Sequence, residues 1–204
     1  MNNLELVRFA KSKLGTPYVY GMKGAVLTEK QYDRLKILFG DLVWDSDRKK
    51  IGQVCVDCSG LISWATGIHR SSQGYYLMAA EVFPISTVAR APIGAAVWCK
   101  GHIGVYAGNG RYIAADGSAY GVREAEIRDS SFTHWFLLKD IVYEEEEKTM
   151  KDTIIYNDKA YTVEMIRKDD VTYIKTRDIA KVLGLSVGSK GKIPVLADKK
   201  DSAV

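Results

Sequence analysis

A cysteine and a histidine, 44 residues apart, each open an element that the sequence predicts clearly. Cys58 starts a stretch typical of a helix, Cys58–Ala65, and His102 starts the run His102–Ala107. Polar or small residues alternate there with Ile103 and Val105, which predicts a half-buried strand. Gly108-Asn109-Gly110 then predicts a hairpin, because Asn and Gly accept positive φ. A helical half followed by an antiparallel sheet indicates an α+β fold.

The same two residues suit nucleophilic catalysis. A thiol at a helix N-terminus lies at the positive end of the helix dipole, which favours the thiolate. A histidine at the start of a strand can serve as the base for such a thiol. We therefore predict a cysteine hydrolase in which Cys58 is the nucleophile and His102 is the base.

Three motifs within residues 1–143 resemble those of the NlpC/P60 family, and they occur in the family's order. They are Gly15-Thr16-Pro17-Tyr18-Val19-Tyr20-Gly21, Asp57-Cys58-Ser59-Gly60 and Gly101-His102-Ile103-Gly104-Val105-Tyr106-Ala107-Gly108-Asn109-Gly110. Members of this family are cysteine hydrolases that cut amide bonds in the peptide stems of bacterial peptidoglycan, on a papain-like fold. The resemblance implies an α+β NlpC/P60 fold, a peptidoglycan substrate and no cofactor or metal.

The resemblance also implies further site residues. Tyr18 matches a tyrosine beside the nucleophile, whose hydroxyl helps to hold the oxyanion together with the backbone N–H of Cys58. Asp57 and Ser59 match positions that bind polar groups of the substrate peptide. Two alternatives stay open: Tyr18 as a core aromatic residue, and Asp57 as a simple helix cap.

The third catalytic position departs from the family pattern. The family usually has a histidine or another polar residue twelve positions after the base, and Ala114 stands there. A three-residue loop at Gly108-Asn109-Gly110 pairs His102 with Asp116, whose carboxylate can fix the tautomer and stabilise the imidazolium. Two alternatives remain: Asp116 belongs only to a turn with Gly117, or Ala114 marks a catalytically weakened wall-binding protein.

The bond and the biological setting are implied only in outline. Two activities suit such a site: an N-acetylmuramoyl-L-alanine amidase, or an endopeptidase that cuts between D-Glu and the diamino acid. A charged insertion at residues 25–54 and the missing basic, apolar signal peptide resemble phage or prophage endolysins. We therefore expect a protein made in the cytoplasm without a signal peptide, which acts on the bacterial cell wall after release.

Composition limits the partners and leaves one rival interpretation. No apolar run reaches the roughly 18 residues of a membrane span, and no basic stripe with interleaved aromatics indicates nucleic acid. The net charge of +4 is mild and favours adhesion to an anionic wall polymer.

The rival interpretation is a structural zinc module, because Cys55-x2-Cys58 and Cys99-x2-His102 have the spacing of a Cys3His site.

The chain beyond the predicted catalytic domain is a different kind of sequence. Four consecutive glutamates open residues 144–151 and predict a solvated linker. Residues 152–204 predict a small α+β module with a hairpin at Asn157-Asp158. This module resembles the N-terminal stalk domain of copper amine oxidases, through Ile155–Val163 and Tyr173–Gly184. It can bind the wall or mediate oligomerisation.

The linker also suggests a second product of the same gene. Glu and Lys codons consist almost entirely of purines, so the message just before Met150 can contain a ribosome-binding sequence. We predict a homo-oligomer, or pairing of the full chain with a separately produced C-terminal fragment that starts at Met150. Extra modules of this kind raise avidity for the wall. The alternative is that the acidic run is only a spacer.

Overall fold

The computed structural model describes residues 1–144, 150–168, 171–190 and 193–198 of the 204-residue chain. The described residues up to 144 form one compact unit, and those from 150 onward form a second. Most of the predicted linker, residues 145–149, lies outside the described residues. In the described ranges, no helix is long and apolar enough to cross a membrane.

The helices of the first unit are set by their capping residues. They are α1 (Asn3–Ser12), α2 (Glu29–Phe39), α3 (Cys58–Thr66) and α4 (Ser72–Leu77). Each begins after a side chain that accepts a hydrogen bond from the backbone of the first turn, which satisfies a donor that the helix leaves free. These caps are Asn2, Thr28, Asp57 and Ser71.

The run Ser71-Ser72-Gln73-Gly74 is small and polar, which predicts a loop, and the structure instead has α4 there. Ser71 caps this helix, and its residue Tyr75 is buried. Small polar residues resemble a loop in sequence. Here the serine marks the helix start, and burial of one aromatic side chain stabilises a helix of low intrinsic propensity.

The strands of the first unit form a two-stranded ribbon and a six-stranded antiparallel sheet. They are β1 (Lys23–Val26), β2 (Val54–Val56), β3 (Val82–Pro84), β4 (Ala96–Cys99), β5 (His102–Gly108), β6 (Arg111–Ala115), β7 (Val122–Glu126) and β8 (His134–Phe136). The ribbon is β1–β2, and the sheet has the order β3-β8-β4-β5-β6-β7. Helices beside an antiparallel sheet confirm the α+β fold class.

Both faces of the sheet are covered. Ile103, Val105 and Ile113 pack with residues of α1 and α3 in one buried cluster. Tyr106 and Tyr112 belong to a second cluster on the opposite face. The alternation along β5 is therefore as predicted, but the strand is buried on both sides rather than half-buried.

The charged insertion is a folded part of the first unit. It contains α2 and short 3-10 segments at Gly40–Leu42 and Asp45–Lys50. Its apolar residues form a third cluster with the segment before β1: Val19, Met22, Leu27, Tyr32, Val43 and Cys55. The insertion thus packs on the segment that carries Tyr18.

The second unit has a small core. Its elements are β9 (Met150–Tyr156), β10 (Lys159–Lys168), β11 (Val171–Ile174), α5 (Thr176–Val182), β12 (Leu185–Lys190) and β13 (Ile193–Asp198). The predicted hairpin at Asn157-Asp158 is present, with positive φ at both residues. The sequence does not predict β12 and β13, which form a two-stranded sheet of their own within the described residues.

Candidate active site

Cys58 is held at the start of α3 by contacts on both sides of it. Asp57 caps the helix, and its backbone N–H donates to the Met22 carbonyl (2.8 Å). A Cβ atom at Gly60 would come within 2.2 Å of the same Met22 carbonyl, so only glycine allows this approach. The Cys58 side chain is 6% exposed, and its Sγ lies 3.9 Å from the Gly101 carbonyl oxygen. The predicted nucleophile therefore faces the start of β5.

His102 is the residue that meets Cys58 there. Its Nε2 lies 3.0 Å from Oδ1 of Asp116, and its chain neighbour Gly101 provides the carbonyl that Cys58 Sγ faces. The ring stacks on Phe132, with centroids 5.3 Å apart and planes 7° apart. A flat aromatic neighbour and a carboxylate together fix the orientation of the ring.

Asp116 has three side-chain partners. Besides His102, its carboxylate accepts from the Tyr112 hydroxyl (2.8 Å) and from Arg123 Nε (2.5 Å). Its side chain is only 4% exposed, and its backbone N–H donates to the Gly121 carbonyl (2.9 Å). The carboxylate is thus fixed and charge-compensated as it faces the imidazole.

The register of β5 and β6 explains why these residues meet. Val105 pairs with Ile113 and Tyr106 with Tyr112, so the same register places His102 opposite Asp116. The hairpin itself differs from the expected three-residue loop. Gly108 pairs with Arg111 across a two-residue turn, and a bulge between positions 106 and 108 restores the register.

The surroundings shift the pKa values of His102 and Asp116 in directions that favour an ion pair between them. Burial lowers the pKa of His102, but hydrogen bonds to Asp116 and Cys58 outweigh it and raise the pKa to about 10. Burial raises the pKa of Asp116, but hydrogen bonds from His102, Arg123 and Tyr112 hold it below its ordinary value. At neutral pH the arrangement therefore favours an imidazolium bound to a carboxylate.

Tyr18 lies beside the nucleophile. It pairs with Val56 through an isolated parallel bridge, two residues before Cys58. Burial, followed by the charges of Cys58 and Asp57, raises the pKa of the Tyr18 hydroxyl above its ordinary value. The phenol thus remains a hydrogen-bond donor at neutral pH.

Asp57 and Ser59 are both buried, and they are bonded to each other. The Asp57 carboxylate accepts from the Gly60 N–H (2.5 Å), the Ser59 hydroxyl (3.0 Å) and the Gly21 N–H (2.9 Å). The observed contacts of Asp57 are those of a helix cap that also holds the loop at Gly21. Binding of substrate by these two residues stays a prediction.

The four residues of the zinc alternative do not form a site. Cys55, Cys58 and Cys99 belong to or border three different apolar clusters. Over the described part of the chain, no group of three or more His, Cys, Asp or Glu side chains is placed to hold a metal. The spacing of the pairs in sequence suggests ligation, but β2 and β4 direct the thiols into separate cores.

The sequence analysis misses three residues that support Asp116 and His102. Tyr112 could have been found, because the period of two along a strand places positions 112 and 116 on one face. Arg123 pairs across from Ala114, but it lies on β7, which the sequence does not predict. Phe132 lies in a loop before β8, and no local pattern connects it with His102.

We expect the His102 imidazole to stay protonated through neutral pH and to lose its proton only near pH 10. Because the Asp116 carboxylate raises this pKa, Asp116→Asn should lower it towards 6.5. The pKa is measured by NMR of the ring nitrogens, which is practical with three histidines in the chain. Asp129→Asn, at a side chain 73% exposed, is the control and should leave the titration unchanged. A titration of His102 that Asp116→Asn does not move contradicts the assignment.

No family model and no curated protein sequence matches the chain. Solved structures to which it is similar include the peptidoglycan hydrolase RipB from Mycobacterium tuberculosis, at 25% identity over 67% of this chain and 65% of that chain, with a TM-score of 0.47. NlpC1 from Trichomonas vaginalis is 21% identical over 67% of this chain and 44% of that chain, with a TM-score of 0.44. The P60 domain of an antigen from M. avium subspecies paratuberculosis is 21% identical over 69% of this chain and 96% of that chain, with a TM-score of 0.47. The chain thus spans less than two thirds of RipB and less than half of NlpC1, and the proteins to which it is similar are of the NlpC/P60 type.

Proposed function

We propose that this chain is a peptidoglycan hydrolase that cleaves an amide bond of the cell-wall peptide stem through Cys58 and His102. The observation that carries the proposal is that Cys58 Sγ faces the start of β5, where His102 contacts Asp116. A thiol at a helix start, an imidazole near it and a carboxylate behind the imidazole are the three parts of a cysteine nucleophile. The substrate class follows from the resemblance of the three sequence motifs to the NlpC/P60 family.

The geometry supports acylation followed by hydrolysis. The Cys58 thiolate attacks the amide carbon, and the oxyanion accepts hydrogen bonds from the Cys58 N–H and the Tyr18 hydroxyl. The N–H is available because Cys58 is the first residue of α3 and has no intrahelical acceptor. His102 then gives its proton to the leaving amine, which leaves a thioester on Cys58.

Water completes the cycle. Neutral His102 takes a proton from a water molecule as that water attacks the thioester carbon. The tetrahedral intermediate then expels the Cys58 thiolate, which restores the thiolate–imidazolium pair, and the carboxylic acid product loses its proton to water. Asp116 keeps Nε2 of His102 engaged throughout, which leaves Nδ1 for the thiol and for the transferred protons.

Two bonds of the stem suit this site, as an amidase or as an endopeptidase. An amidase would cut between the lactyl group and L-Ala, and an endopeptidase would cut between D-Glu and the diamino acid. Mass spectrometry of muropeptides released from defined peptidoglycan distinguishes them, because the amidase separates glycan from intact stems. We further propose an endolysin-like role, in which the second unit binds the wall or mediates oligomerisation.

Cys58→Ser should abolish wall cleavage and leave the fold intact. A serine hydroxyl lacks the population of anion that a thiol at a helix start provides. Loss of turbidity of purified cell walls measures the activity, and circular dichroism checks the fold. Cys99→Ser controls for the loss of a thiol: Cys99 pairs with His102 across β4 and β5 and contacts the Ser131 hydroxyl, but the mechanism gives it no role, so activity should be kept. Undiminished cleavage by Cys58→Ser excludes the mechanism.

Asp116→Ala should lower kcat by about 10- to 1000-fold, with a general-base contribution as the ceiling. Loss of the Asp116 carboxylate removes both a group that orients the His102 ring and the charge that stabilises the imidazolium. Steady-state kinetics on a soluble muropeptide measure the effect, and Asp129→Ala is the exposed control. Full activity of Asp116→Ala would show that another group orients His102.

The predicted fragment from Met150 can be tested in the native gene. We expect a product of about 55 residues beside the full chain, and Met150→Leu should remove it by abolishing the internal start. Intact-mass analysis of the purified protein detects both species. A small product that persists with Met150→Leu indicates proteolysis, and its complete absence from the native gene disproves internal initiation.

A further inference from the structure

A buried ion pair lies in the insertion, where it meets the candidate active site. Asp47 is completely buried, and its Oδ1 lies 2.7 Å from Nζ of Lys50. Asp47 Oδ2 accepts from the Trp44 N–H (2.9 Å) and from the Ser118 hydroxyl (3.0 Å). A buried carboxylate needs such compensation, because removing a charge from water is unfavourable.

Lys50 directs its remaining donors outside the insertion. An ammonium group has three donors. One meets Asp47, the second meets the Tyr18 carbonyl at 2.7 Å, and the third meets the Ser118 carbonyl at 2.9 Å. All three bonds are short, and the Lys50 side chain is only 17% exposed. One side chain therefore connects two chain segments that are 100 residues apart.

These two segments carry opposite sides of the candidate site. The first segment places Tyr18 beside Cys58. The second begins two residues after Asp116, the partner of His102. Backbone bonds join the same segments farther from the chemistry, as in the bond from the Val122 N–H to the Thr16 carbonyl (2.8 Å). Lys50 joins the two segments at Tyr18 and Ser118, which are their ends nearest the candidate site.

We infer that Lys50, held in place by Asp47, is a positioning residue that fixes the Tyr18 segment and the loop after Asp116 relative to each other. The inference rests on the proposed function, in which Tyr18 serves the oxyanion and Asp116 orients His102. It assigns a purpose to the insertion: without this contact, the two segments remain joined by the backbone bonds at Val122, but their ends near the oxyanion donor and the partner of the base lose a direct connection. A displacement of about 1 Å at such groups can cost about 100-fold in rate.

The insertion offers a matched control pair. Arg48 forms an ion pair with Glu29, and both side chains are more than half exposed. This pair joins the segment Asp45–Lys50 to α2 and contacts neither Tyr18 nor Ser118 in the described structure. Its removal disturbs the same insertion without touching the bridge to the site.

The test compares Asp47→Asn/Lys50→Met with Glu29→Gln/Arg48→Gln. Removing both charges together avoids leaving one unpaired in the interior. The introduced amide is uncharged, and its oxygen can still accept from Ser118, while the introduced thioether side chain keeps the apolar bulk of the lysine stem. Circular dichroism and thermal melts confirm that each variant folds. Two readouts follow: kcat and KM on a soluble muropeptide, and the NMR titration of His102.

The Asp47→Asn/Lys50→Met variant should lose about 10- to 100-fold in kcat, with a smaller change in KM. Its His102 pKa should fall, because Asp116 no longer holds a fixed position against the ring. The Glu29→Gln/Arg48→Gln variant should match the native chain in both. If a folded Asp47→Asn/Lys50→Met variant keeps the native kcat and the native His102 titration, the inference is wrong.

The NMR titration of His102 tests the positioning role of Lys50 even if the proposed function is wrong. If the native chain cleaves no peptidoglycan, the proposed function fails, and the kinetic readout is lost with it. The His102 titration still decides the positioning role. A His102 pKa that is lower in Asp47→Asn/Lys50→Met, but not in Glu29→Gln/Arg48→Gln, supports the positioning role. An unchanged His102 pKa overturns it.

Discussion

The Asp57 carboxylate organises the site more than any other single group. It lies directly after β2, caps α3 and holds the loop at Gly21, with one side chain receiving two backbone donors and a hydroxyl. A cap of this kind stabilises a helix by about 1 kcal/mol. Its larger effect here is geometric. Because the first residue after the cap is Cys58, the position of the nucleophile follows from the position of the carboxylate.

This constraint also explains why Tyr18 and Cys58 come together. Val56, just before the cap, donates its N–H to the Pro17 carbonyl (3.0 Å) and accepts from the Val19 N–H (3.3 Å). The segment around Tyr18 is therefore fixed to the residue two positions before the nucleophile. Lys50 fixes the same segment from the other side, through the Tyr18 carbonyl. Two independent sets of hydrogen bonds thus determine where the phenol lies.

The sequence predicts those parts of the fold that depend on residues close to one another in the chain. The start of α2 follows from the capping box of Thr28 and Gln31. A glycine-rich turn predicts the hairpin of β5 and β6, whose register depends also on the bulge between positions 106 and 108. From that register alone, Asp116 can be placed opposite His102. The parts that sequence misses depend on distant contacts. Among them, α4 needs the burial of Tyr75, and Phe132 reaches His102 from a loop 30 residues away.

The pairing of β5 with β6 also explains why an alanine stands at position 114, where the family pattern has a polar residue. Ala114 is fully buried in the cluster that contains Tyr106, Tyr112 and Phe132, so a histidine side chain at this position would have to displace these aromatic residues. Position 116 is on the same face, two residues on, where the strand has ended.

At position 116 an acidic residue is also electrostatically supported. Arg123 and Tyr112 compensate the burial of the carboxylate, and they leave Oδ1 for the imidazole. Arg123 is held in turn over the Tyr120 ring at 4.2 Å. A carboxylate stabilises an imidazolium more strongly than a neutral partner does, because the attraction is between full charges. At a different position on the same face, the chain therefore has a carboxylate that keeps the His102 imidazole charged, as the proposed mechanism requires.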